Sequence, residues 1–92
     1  MTSRITEVEL KVWEEIVGDC INFEVKKDQV AVVFRCSQYY KVVFPVESEE
    51  GAILRELGIK LVGQRIGLIR TDIPGKPISV RTVTHKPEKF EG

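Results

Sequence analysis

Asparagine, histidine and tryptophan each occur once in the 92 residues, at Asn22, His85 and Trp13, and cysteine occurs only twice. With a single histidine to join Cys20 and Cys36, the paired spacing of a structural zinc site is missing, and no metal or other cofactor is expected. No apolar run approaches bilayer length, and the opening Met-Thr-Ser-Arg-Ile-Thr-Glu has no secretory core, so a cytoplasmic protein without a membrane partner is expected. Gly63, Gly67 and Gly75 do not fall at the spacing of a phosphate-binding loop. Scarce asparagine beside abundant Lys, Glu, Ile and Val leans toward selection for heat resistance, which says nothing about activity.

What is present is a fold signal between Cys20 and Val46. Ile21, Phe23 and Val25 alternate with Cys20, Asn22 and Glu24, the period of a strand with one buried face. A return that sets Val25 against Val30 also sets Phe23 against Val32 and Ile21 against Phe34. Tyr40, Val42 and Phe44 can then face Phe34, Val32 and Val30 from a third strand. In that register Cys20 and Cys36 project from opposite faces, which predicts free thiols. The reverse face carries Cys20, Asn22, Glu24, Ala31, Val33, Arg35, Tyr39, Lys41 and Val43, a mixture suited to partial exposure or a partner.

On either side of this meander the spacing predicts helices. Thr6 and Glu9 have the form of a capping box, Val8, Val12, Trp13, Ile16 and Val17 recur at helical spacing, and Gly18 supplies a stop. A strand competes, because Val8, Leu10 and Val12 also alternate with Glu7, Glu9 and Lys11. Ser48, Glu49 and Glu50 suit a helix start, and Ile53, Leu54 and Leu57 form its apolar stripe before Gly58. Both helices would cover the apolar sheet face, with Trp13, Phe23, Val32, Val42 and Leu57 in the core. From Leu61 to Arg70 the chain reads as a strand, Pro74-Gly75 as a turn, and Ile78 to Thr84 as its partner. The expected fold is therefore one small α+β domain over residues 1–84, in the order α-β-β-β-α-β-β. It is an antiparallel three-stranded meander packed by two helices, plus a C-terminal β-hairpin that either extends the first sheet or covers its mixed face. Residues 85–92 are expected to be a flexible tail.

The opening α-β-β-β-α order resembles the double-stranded-RNA-binding domain in topology. That family meets phosphates with a basic cluster at the start of its second helix, where this chain has Glu47, Ser48, Glu49 and Glu50, so no family is assigned.

Charge offers the functional lead. The 14 basic and 14 acidic residues balance overall, but the chain before Lys60 carries a net charge of −4 and the remainder +4. Arg65, Arg70, Lys76 and Arg81 could line a basic edge, with Arg35, Tyr39 and Lys41 on the mixed face adding a stacking platform for RNA or DNA. The alternative is a protein-interaction or homodimeric subunit built on the mixed face, centred on Ala31, Val33, Tyr39 and Val43. Enzymatic chemistry has thin support: His85 sits in the tail, Glu24 beside Lys41 or Arg35 is ordinary cross-strand pairing, and Cys36 beside Arg35 is the one hint of a nucleophile. A non-enzymatic binding module is the reading that remains.

Overall fold

The computed structural model describes residues 4–83, so the segment expected to be a tail lies outside the described residues. Six strands and one helix follow in the order β1 (Ile5–Val8), β2 (Glu15–Val25), β3 (Gln29–Arg35), β4 (Tyr39–Pro45), α1 (Glu49–Leu61), β5 (Arg65–Ile73) and β6 (Lys76–Thr82). They form a single mixed sheet in the order β1-β4-β3-β2-β5-β6, with β1 parallel to β4 and every other pair antiparallel.

The expected two-helix α+β arrangement is therefore corrected: the protein is mostly β, with a six-stranded sheet where a three-stranded meander was expected. Residues 6–17 hold no helix. Their Val and Ile side chains are β-branched and stiff, and their alternation suits a strand as well as their helical spacing suits a helix. Long-range pairing decides between them, since β1 hydrogen-bonds along β4 and the first half of β2 is held by β5. The likeness to the double-stranded-RNA-binding domain loses its first helix with this change.

The meander itself follows the expected register from Val25↔Val30 to Asn22↔Val33 and throughout the β3–β4 pair. A bulge between Cys20 and Asn22 then leaves Ile21 unpaired and sets Cys20, not Ile21, opposite Phe34. Cys20 thus turns into the core, fully buried, while Ile21 turns outward. Cys36 lies on the same face, beside Gly18, so the opposite-face argument for the two thiols fails although both are free.

Helix α1 starts where expected. Ser48 Oγ accepts from Gly51 N at 3.0 Å, and Glu49 and Glu50 sit at the positive end of the helix dipole. The helix does not stop at Gly58 but runs three residues further, because that glycine is a packing device. A Cβ there would lie 2.1 Å from the Phe23 ring, so the aromatic packs directly against the helix at this glycine. The strand expected from Leu61 accordingly begins only at Arg65, after a turn through Gly63 at φ +93°.

The core lies between α1 and one sheet face, built on Cys20, Val30, Val32, Phe34, Val42, Phe44, Leu54, Ile66 and Leu68. Val32 and Val42 are fully buried as expected. Trp13 is not: it is 55% exposed, and Leu10, at 3%, fills the core from the β1–β2 connection instead. Arg70 holds that connection in place. Its guanidinium donates to Leu10 O at 2.8 Å and lies 3.3 Å from Glu50 on the helix, while Trp13 N donates to the Arg70 carbonyl.

Candidate binding face

The second hairpin lies beside the first sheet, through β5 paired to β2, and so widens the mixed face, which no other described element covers. Register places Ile5, Tyr39, Arg35, Asp19 and Arg65 in one row across five neighbouring strands. Lys41, Val33 and Asn22 form a second row, and Val17, Gly67 and Arg81 a third. Five of the seven side chains expected to bind nucleic acid, namely Arg35, Tyr39, Lys41, Arg65 and Arg81, thus share this face. The other two do not join them. Arg70 alternates with Ile66 and Leu68 and points to the helix side, and Lys76 stands at the start of β6, beside the Pro74-Gly75 turn.

Every cation on the face meets a carboxylate. Asp19 receives Arg35 at 3.4 Å and Arg65 at 3.5 Å, one guanidinium from each neighbouring strand. Lys41 reaches diagonally over β3 to Glu24 at 3.5 Å. Arg81 reaches over β5 to Glu15, with its Nε at 2.9 Å and its Nη2 at 3.2 Å from the two carboxylate oxygens. That fork crosses at Gly67, where a Cβ would lie 2.7 Å from the Glu15 carboxylate. The hydrogen bond from Arg81 holds the Glu15 carboxyl below the usual glutamate range and, in return, raises the guanidinium. Exposed cross-strand pairs of this kind add little stability by themselves. Their larger effect is geometric, because pairs that span a strand cover it: Ala31 and Val33 on β3 are 0% and 4% exposed on a face with no second layer among the described residues.

The chain's charge asymmetry disappears in this arrangement. Acidic β2, with Glu15, Asp19 and Glu24, is inserted between β3 and β5, so Arg35, Lys41, Arg65 and Arg81 share the face with those three carboxylates and with Glu7 of β1. Glu24 with Lys41 was legible from alternation. Glu15 and Asp19 were missed because the first half of β2 reads equally as helix, and Gly18 as a helix stop. The alternation of Glu15, Val17 and Asp19 with Ile16, Gly18 and Cys20 is the signal that could have found them.

The Cys36 thiol donates to Val17 O at 3.1 Å, and burial pushes it up more than the neighbouring Arg65 lowers it, with Asp19 adding to the rise. It is no activated nucleophile. A cleft of ≈ 390 Å³ between the β1–β2 connection and the start of α1 is lined by Leu10, Asp28, Phe44, Ser48, Glu50 and Arg70, with the one cation facing Glu50. Among the described residues no three His, Cys, Asp or Glu side chains are grouped to hold a metal, and no helix is long and apolar enough to cross a membrane. No family model, no curated protein and no solved structure matches the chain.

Proposed function

We propose that the chain is a small non-catalytic binding module that docks a protein partner on its open sheet face. The observation that supports this reading is that each cation there already faces a carboxylate. A polyanion is bound by cations free to replace its counterions, whereas these guanidinium and ammonium groups already face carboxylates. A balanced, rigid surface suits a partner that itself carries both signs, and the half-exposed Tyr39, Val17, Val43 and Ile69 between the pairs supply apolar contact. Tyr and Arg are the side chains most often found to carry interface energy, which makes Tyr39 and Arg35, adjacent in one row, the expected centre.

The test places a photoreactive residue at position 39, identifies the cross-linked molecule by mass spectrometry, and titrates that partner in purified form against variants. Tyr39→Ala and Arg35→Glu are expected to weaken the complex at least about tenfold, while Arg55→Glu on the exposed side of the helix leaves it unchanged. Single- and double-stranded oligonucleotides are titrated alongside at low salt. Association with these that weakens linearly in log salt, its slope shallower by about one unit for Arg65→Ala or Arg81→Ala, would overturn the protein-partner reading in favour of nucleic acid.

A further inference from the structure

Strand β2 is the longest in the sheet, and its two halves are paired on different sides. Residues Glu15 to Asp19 pair with β5, whereas Cys20 and Asn22 to Val25 pair only with β3. Beyond Cys20, whose N–H and C=O are taken by Gln64 and Gly63, the β5 side of β2 has no strand among the described residues. The direction of its free groups follows from the hairpin. Lys26 N donates to Gln29 O, so Glu24 and Asn22 turn their backbone groups toward β3, while Val25 and Phe23 turn theirs outward. Phe23 N–H is met only by the side chain of its own neighbour, Asn22 Oδ1, at 2.9 Å. This is an edge strand in the interior of the sheet order, and it is apolar. Of the eight large hydrophobic side chains exposed among the described residues, Ile21 and Val25 stand on this strand. Two more flank it: Val62, just past the end of α1 and beside Ile21, and Ile59 on α1, next to the Gly58 that Phe23 covers.

We propose that this edge pairs with the same edge of a second copy of the chain, antiparallel about a two-fold axis at Phe23, joining two six-stranded sheets into one. Self-complementarity selects the occupant. With Phe23 opposite its symmetry mate, each donates its N–H to the other's carbonyl, and Ile21 faces Val25 of the other copy as an apolar cross-strand pair. Asn22, released from Phe23 N–H, stands opposite Glu24 of the second copy. Glu24 Oε1 is buried and accepts no hydrogen bond, although Lys41 and Lys26 lie 3.5 and 4.0 Å away. Across the seam the Asn22 amide is placed to donate to the same carboxylate. An axis one residue further on would oppose Glu24 to Glu24, a like-charge contact that disfavours that register. The two helices lie on the same side of the joined sheet, where Ile59 and Val62 extend the apolar seam. This contact leaves the open face free and does not depend on what binds there.

Sedimentation equilibrium of the intact chain tests the assembly, with Val25→Lys and Ile59→Lys as probes, since both sites are half or more exposed and tolerate charge without loss of the fold. Thermal melts of each variant verify that tolerance. The expected result is a species of twice the 10.5 kDa chain mass that dissociates on dilution, with each substitution weakening it at least about tenfold. The Phe23 and Val25 amides should exchange more slowly as protein concentration rises. A monomer persisting to about 1 mM, or a dimer indifferent to both lysines, would overturn the proposal. So would a dimer broken by Tyr39→Ala alone, because the contact would then lie on the open face.

Discussion

Gly58→Ala should destabilise this protein, against the usual sign for such a change in a helix. In an unconstrained helix interior alanine is favoured over glycine by about 1 kcal/mol. At this site the added Cβ would lie 2.1 Å from two atoms of the Phe23 ring and 2.5 Å from a third, where ordinary contact begins at 3.4 Å. The ring must therefore retreat by more than an ångström from a helix that is itself anchored by buried Leu54 and Leu61. Repacking of that kind costs about 1–3 kcal/mol, and a displaced Phe23 forfeits part of the roughly 1.5–3 kcal/mol that burying such a side chain is worth. Set against the helix gain, the expected net loss is about 1–3 kcal/mol, seen in denaturant titration and as a fall in Tm of about 4–8 °C per kcal/mol. The double-mutant cycle isolates the cause. In a Phe23→Ala background the clash is gone, and Gly58→Ala should become stabilising by about 1 kcal/mol. If Gly58→Ala raises the stability of the otherwise unchanged protein, the packing of Phe23 against the helix at this glycine is wrong.

Three further outcomes are expected. By NMR, the Glu15 carboxyl should titrate below the usual glutamate range and return to it in Arg81→Gln. Since its folded pKa lies below the unfolded one, the stability it contributes is present above the unfolded value and lost as pH falls through the folded value; an unshifted Glu15 would show the fork is not formed. Cys20 and Cys36, both pushed up by burial, should alkylate far more slowly at pH 7 in the native protein than in denaturant, and a Cys20–Cys36 disulfide found in the non-reduced protein would contradict the free thiols. Arg70→Ala should cost about 1.5–3 kcal/mol by removing a charged hydrogen bond to Leu10 O and leaving Glu50 unpaired; a change within 0.5 kcal/mol, read by denaturant titration as above, would mean the β1–β2 connection holds without it.

What the sequence by itself determined was whatever is local or set by period two. The β3–β4 register, the cap at Ser48 and the turn at Pro74-Gly75 follow from patterns a few residues long, and each stands where the pattern put it. The tertiary structure decided the rest, for reasons that cross the chain. Residues 6–17 fit helix and strand about equally, and only hydrogen bonds to β4 and β5, some 30 and 50 residues away, choose the strand. One bulge exchanges Cys20 for Ile21 in the core, an event that alternation cannot show because it breaks alternation. Gly58 reads as a helix stop in sequence and is a seat for Phe23 in space. The same holds for the candidate face. Its basic side chains were legible one by one, but the sequence separates the acidic half from the basic half, and the sheet order, by inserting β2 between β3 and β5, brings each cation to a carboxylate and turns an apparent polyanion site into a balanced surface.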